Sequence, residues 1–136
     1  MMGMRHHAIS IGELSRRSGL SPHTLRFYEA AGILKPAARS ASGHRQYHDD
    51  DVRWLEFVLR LKLTGMPLAD IKRYAALREQ GEATLHARLA MLKHHRQRLV
   101  DRIDALLTCA GALDDKIRIY RERIAAAPVP TKEEEP

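Results

Sequence analysis

Between Ser21 and Gly32 the chain carries an imidazole (His23), a hydroxyl (Thr24), a guanidinium (Arg26) and an aromatic ring (Phe27) in close succession. On a helix, Leu25, Tyr28 and Glu29 share one face at i, i+3, i+4, which leaves those four side chains on or near the opposite side. Arginine can bond guanine edges, and threonine can meet a phosphate or a thymine methyl, so this outward face suits the major groove of DNA. Farther along, Arg39, His44 and Arg45 surround Ser42-Gly43. That pattern reads as a short basic hairpin with Gly43 at its turn, and beside a recognition helix such a hairpin is a wing that reaches phosphates or the minor groove. No nucleophile–base pair, phosphate loop or carboxylate pair emerges, so catalysis is not expected.

Metal chemistry is not expected either. Asp49-Asp50-Asp51 would project in different directions from one helical turn, and acids there favour the positive end of a helix dipole. Adjacent His94 and His95 lie about 100° apart on a helix and do not readily grip one ion. The single cysteine, Cys109, excludes an intramolecular disulfide and any multi-cysteine zinc site. No cofactor is implied.

The elements that must hold the basic groups are legible from caps and breakers. Ser10-Ile11-Gly12-Glu13 reads as a capping box opening a short helix, with Ile11 and Leu14 inward and Arg16-Arg17 outward. Gly19 ends that helix, Ser21 caps the next, Pro22 occupies its first position and Gly32 stops it. Two short helices about a glycine-containing turn form a helix-turn-helix candidate. A third helix opens at Asp49-Asp50-Asp51, carries Val52, Leu55 and Leu59 on its apolar face and Phe57-Val58 on an adjacent strip, with Trp54 at an edge or interface, and ends at Gly65. Pro67 starts a fourth, in which Leu68, Ile71, Ala75 and Leu77 close a small core.

Beyond Gln80-Gly81 the pattern changes. Alternate steps of four and three give Leu85, Leu89, Leu92, Arg96, Leu99, Ile103, Leu106, Ala110, Leu113, Ile117, Tyr120 and Ile124. Eleven of these twelve positions are apolar, which is a coiled-coil signal. A helix over 82–125 would be roughly 65 Å long at ~1.5 Å per residue and cannot bury that stripe alone. The simplest partner is a second copy of the chain. Arg96 breaks the seam, where a polar residue fixes register, and Ala110 permits close approach. The expected organisation is a tail over 1–7, a DNA-binding domain over 8–78, a linker over 79–81, the dimerisation helix over 82–125 and a disordered tail over 126–136.

Charge follows the same division. Residues 1–78 hold 13 Lys+Arg against 7 Asp+Glu, a balance of +6, whereas residues 79–136 hold 10 against 10. A basic half joined to a neutral half fits a polyanion-binding module attached to something else. The N-terminus has no apolar signal core and no window approaches a membrane span, so a cytoplasmic, membrane-free protein is expected.

Taken together, Ile9-Ser10-Ile11-Gly12-Glu13-Leu14-Ser15, the run from Thr24 through Arg26-Phe27-Tyr28-Glu29 to Gly32-Ile33-Leu34, Arg39, Ser42-Gly43-His44-Arg45-Gln46-Tyr47 and Leu61-Lys62-Leu63-Thr64-Gly65-Met66-Pro67-Leu68 resemble the MerR family of bacterial transcription regulators. The resemblance implies a mainly α fold, a winged helix-turn-helix followed by a long antiparallel coiled-coil helix. It further implies a homodimer on a palindromic promoter element inside a long spacer, which bends and untwists the DNA in response to an effector and realigns it for RNA polymerase, a specificity through deformation. By matching position it implies DNA contacts at Thr24, Arg26, Tyr28, Arg39 and Arg45, with Tyr47, Arg16 and Lys62 beside them; His23, Phe27 and His44 complete the candidate set. An inward Tyr28 ring and a DNA-proximal hydroxyl are compatible if the ring packs inside with its tip at a phosphate.

The signal is less legible. Metal-sensing members of that family carry a cysteine near the start of the dimerisation helix, and Leu77-Arg78-Glu79-Gln80-Gly81 has none. The chain is most similar to short regulators, some of which sense aldehydes or oxidants through a third-helix cysteine; Arg60 stands at the corresponding position here. Cys109, beside Ala110 at the seam, reads first as a buried, inert thiol, and redox or electrophile sensing through it is the alternative. An excisionase-like DNA-bending protein and a coiled-coil adaptor are the competing classes, and the long dimerisation stripe and the basic front half argue against each in turn.

Overall fold

The computed structural model describes residues 8–128, which fall into two compact units meeting between His95 and Arg96. The expected tail over 1–7, and the part of the expected 126–136 tail beyond residue 128, lie outside the described residues.

The first unit begins with α1 (Ile11–Ser18) and α2 (Pro22–Ala30). Ser10 caps α1 by accepting the Glu13 backbone N–H at 3.0 Å. The expected return bond from the Glu13 side chain is replaced: its carboxylate is engaged by Arg16, one turn on. Gly19 ends α1 in the left-handed region at φ 78° and donates its N–H to Ser15 O, a conformation that a Cβ would strain. The Ser15 hydroxyl donates to Leu20 O at 2.5 Å and the Ser18 hydroxyl accepts the Leu20 N–H, so the turn between the helices is stapled by side chains. Ser21 then caps α2 by accepting the Thr24 N–H at 3.1 Å.

A minimal antiparallel hairpin follows, β1 (Ala38–Arg39) and β2 (Arg45–Gln46), with Ala38 opposite Gln46 and Arg39 opposite Arg45. Its turn closes through Gly43 N–H to Ser40 O and Ser40 N–H to His44 O, with Gly43 at φ 85° as expected for the tip. Past β2, Tyr47 exchanges both backbone bonds with Ile9 at 2.7 Å, which ties the segment before α1 to the exit of the hairpin.

Helix α3 (Asp49–Leu63) starts on the acidic run, where an Asp51 oxygen accepts the His48 N–H at 2.9 Å. Asp49 takes Arg17 from α1 at 2.8 Å and Asp50 takes Arg53, so the triplet serves the helix start and two surface pairs. Helix α4 (Leu68–Glu79) follows the Gly65 turn. A 3₁₀ turn over Gly81–Thr84 occupies the first residues expected to be α-helical, and α5 runs Leu85–Ala126. The Thr84 hydroxyl reaches Leu77 O and Gly81 O, and Arg88 donates to Thr84 and to Gly81 O, fixing this corner.

The core joins Leu14, Leu25, Tyr28, Leu34, Tyr47, Leu55, Val58 and Ile71, from the four helices α1 to α4 and from the segments that follow α2 and β2. Two expectations change. Trp54 is not an edge residue: it shares the buried face of α3 with Val58 and Leu61, donates its indole N–H to Ile33 O at 2.7 Å, stacks on Tyr74 and carries the Arg78 guanidinium 4.3 Å above its ring. Leu68, expected in the core, is exposed at the first turn of α4. The first unit also runs past the expected linker, because Met91 and Leu92 of α5 pack on its core and His95 hydrogen-bonds Thr64 Oγ1 at 2.7 Å.

In the second unit, from Arg96, the described residues are the rest of α5 followed by Ala127 and Pro128, and none of them is buried. Among the described residues no helix is long and apolar enough to cross a membrane.

Replacing the fully buried Leu55 with alanine should lower the free energy of unfolding by about 3 kcal/mol in urea titrations. The same change at Leu63, 84% exposed at the last position of α3, should cost far less. Equal losses would refute this placement of the core.

Candidate nucleic-acid interface

Helix α2 is divided by its own packing. Leu25 and the Tyr28 ring are buried, which turns His23, Arg26 and the half-exposed Phe27 to solvent and leaves Thr24 at the margin. Arg26 makes no hydrogen bond or ion pair among the described residues, so its donors remain available. The Ser21 hydroxyl donates to Thr24 Oγ1 at 3.0 Å, which leaves the Thr24 proton free to be given to an incoming acceptor. Phe27 lies near Lys62 of α3; both line a mostly apolar groove of about 250 Å³ with Tyr28, Met66, Leu68 and Ile71.

In the hairpin, Arg39 donates to Gly43 O at 2.9 Å, so it braces the turn while staying exposed, and His44 is exposed at the tip. Arg45 is different. Its guanidinium meets Glu29 of α2 at 2.6 Å and is only half exposed. The Glu29 carboxylate also accepts the Tyr47 hydroxyl at 2.9 Å and the Ala37 backbone N–H at 3.2 Å. Sequence reasoning placed Glu29 on the inner face and went no further, although an acid on an otherwise apolar face requires buried donors.

The candidate contacts therefore separate. His23, Thr24, Arg26, Phe27, Arg39, His44 and Lys62 present exposed or half-exposed groups. Arg16 is exposed but shares its charge with Glu13. Tyr28 keeps only 3% of its surface open, and the expectation of a buried ring holds. Tyr47 is withdrawn as a contact, because none of its surface is accessible and its hydroxyl is spent on Glu29. Of the seam residues, Leu92 is partly buried against the first unit's own core, while Leu85, Leu89, Ile103, Leu106, Leu113, Ile117 and Tyr120 are each about half exposed or more. Leu99 is half-buried and Ala110 exposed, and Cys109 beside it is a free, exposed thiol. Among the described residues no group of three or more metal-binding side chains comes together. His95 is not simply solvated, given its bond to Thr64.

Burial pushes the Tyr47 phenol above its ordinary 10.0, and the hydrogen bond it donates to Glu29 adds to the rise, while neighbouring Arg45 opposes it.

Comparison with known proteins gives one answer. Residues 9–77 match the MerR HTH family regulatory protein profile, and residues 52–116 match the profile described as MerR, DNA binding. The HTH-type transcriptional regulator AdhR of Bacillus subtilis is 33% identical over 68% of this chain and 66% of its own length. An HTH-type transcriptional regulator of Haemophilus influenzae is 33% identical over 85% of both chains. The crystal structure of HiNmlR, a MerR family regulator lacking the sensor domain, bound to promoter DNA, superposes with a TM-score of 0.75 at 31% identity over 88% of this chain and 95% of that one.

The raised Tyr47 pKa predicts an alkaline signature. Because the folded value lies above the unfolded one, the stabilisation from this phenol is complete below about pH 10 and is lost as pH rises through the folded pKa. Tyr47→Phe should remove that component of the alkaline loss in unfolding curves taken on either side of pH 10; an unaltered alkaline limb would contradict it.

Proposed function

The chain belongs to the MerR family of HTH transcriptional regulators, and from that premise we propose that it acts as a homodimer whose two winged units grip one palindromic promoter element and alter transcription by distorting the duplex. That it is a DNA-binding transcription regulator follows from the family, its relatives and the DNA-bound neighbour. The observation that carries the finer reading is the two-sidedness of α2. Leu25 and Tyr28 lock one face into the core, while Arg26 and Phe27 stand outward beside a basic hairpin, with the donors of Arg26 uncommitted, and Thr24 lies at the margin.

In this reading Arg26 and Thr24 read bases, Phe27 meets thymine methyls, and His23, Arg39, His44, Lys62 and Arg16 address the backbone. The apolar stripe of α5, exposed over most of its length, supplies the dimer interface through Leu85, Leu89, Leu99, Ile103, Leu106, Ala110, Leu113, Ile117 and Tyr120. Distortion of the spacer then governs how RNA polymerase meets the promoter in the cytoplasm. Cys109, exposed beside the Ala110 step of the stripe, is the proposed thiol for a redox or electrophile signal. A DNA-bending protein without promoter specificity has no need of that long stripe, and an adaptor has no need of Arg26.

Selection of genomic fragments by the purified protein should recover one palindrome. Arg26→Ala should weaken binding to it by about 10- to 100-fold and relax the base preference at one position per half-site. Arg39→Ala should weaken all duplexes alike and reduce the salt slope by about 0.9. Retained selectivity in Arg26→Ala would remove α2 from the reading role.

The interface is tested separately. Leu106→Asp should give a monomer in sedimentation at micromolar concentration and lower the palindrome affinity by about 100-fold or more through lost bivalency. A wild-type protein that sediments as a monomer would overturn the dimer.

A further inference from the structure

Each strand of the hairpin is two residues long, and such a ribbon is marginal by itself. Something outside it must set its angle to α2. Three donors from its base converge on one carboxylate of that helix: the Ala37 N–H before β1, the Arg45 guanidinium on β2 and the Tyr47 hydroxyl just after it. The Glu29 side chain is about one-tenth exposed, so these charge-assisted bonds replace its hydration. The backbone exchange between Ile9 and Tyr47 holds the far end of the same segment.

We infer that Glu29 is a positioning residue for DNA reading: it locks the wing to the recognition helix as one rigid reader, and it holds Arg45 as a structural cation rather than a phosphate contact. The inference rests on the proposed DNA-reading role of α2 and the wing. The wing's DNA-directed charge is then carried by Arg39, with the exposed His44 ring beside it at the tip, and no acidic side chain engages either among the described residues. Specificity depends on the lock because base contacts from α2 and backbone contacts from the wing must be made in a fixed register. Arg45, released, would add an unspecific cation at the mouth of the groove.

Glu29→Gln keeps the side-chain length and removes the charge. In the full-length protein, binding to the palindrome recovered by wild-type selection should weaken about tenfold, while binding to mixed-sequence duplex is unchanged or tighter. The salt slope should steepen by about 0.9 as Arg45 becomes free to meet a phosphate. Arg45→Ala alone should leave the wild-type salt slope unaltered. Loss of both affinities in proportion, as a merely destabilised fold would give, overturns the positioning role; a slope lowered by Arg45→Ala as much as by Arg39→Ala overturns the assignment of Arg45.

A DNA-free measurement decides the lock independently. Backbone NMR order parameters of residues 38–46 should drop from about 0.85 to below about 0.6 in Glu29→Gln while those of α3 stay unchanged. An equally ordered hairpin in the variant refutes the inference. Were wild-type protein to select no duplex, the regulator reading would fail, and this relaxation arm would still decide whether Glu29 fixes the wing.

Discussion

A nine-residue helix has to be held from outside, and that constraint governs the first unit. At this length α2 is not stable in water through its own hydrogen bonds, so its position and rotation come from what it packs against. Leu25 and Tyr28 bury one face beneath α1 and α3, and the carbonyl of Tyr28 accepts the N–H groups of both Ile33 and Leu34, drawing the following chain back across the helix end. Ile33 in turn accepts the Trp54 indole, so the end of α2 is tied to the middle of α3. Rotation of α2 is thereby fixed by apolar contact on one side, and the orientation of Arg26 and Phe27 is a consequence of it.

Charges in this protein differ in worth according to burial. The pairs Arg16–Glu13, Arg53–Asp50 and Arg118–Asp115 are exposed and lie on single helices, where water and salt leave them little net contribution. Arg17–Asp49 joins α1 to the start of α3 but remains about one-third exposed, so it orients more than it stabilises. Glu29 with Arg45 and Tyr47 is the exception. It is the most enclosed of the ion pairs among the described residues, and removing one partner there would leave another buried and unsatisfied. Conformational precision concentrates where a two-residue-per-strand hairpin could not provide it.

Local rules carried most of the fold. Serine caps, left-handed glycines and the 3.6-residue apolar period are encoded within a few residues, so α1, α2, the Gly43 turn and α5 were legible in the chain. What escaped was non-local. The exchange between Ile9 and Tyr47 joins segments 38 positions apart, and no nearest-neighbour pattern announces it. The burial of Trp54 depends on Tyr74 and Arg78 arriving from α4. Glu13 was available to two equivalent local partners, and the cation one turn ahead took it. The 3₁₀ turn at Gly81–Thr84 follows from the Thr84 hydroxyl reaching back to Leu77 O, a contact that helical propensity does not contain. At the candidate site, exposed reading residues could be named from type and spacing; Tyr47 could not be told from a contact residue, because its burial is decided by Glu29 and the Ile9 bridge.

The distribution of charge bears on both tasks proposed for the chain. Residues 79–136 are balanced as a whole, but α5 itself holds nine Lys+Arg against five Asp+Glu, and it offsets part of that charge internally: Arg118 sits between Asp115 and Glu122, and Lys116 lies over the Tyr120 ring. The apolar stripe of α5 remains, and in the proposed pair its burial would be driven by area removed from water, with Arg96 as the polar interruption that disfavours sliding by one heptad. The +6 excess stays in the front half, where α2 and the wing lie. Pairing along the stripe, as proposed, would double the cationic surface offered to a duplex, and among the twelve stripe positions Arg96 alone would bring a charge to the contact. Were more of the α5 cations placed on the stripe itself, each would weaken the association that the proposed bivalent binding requires.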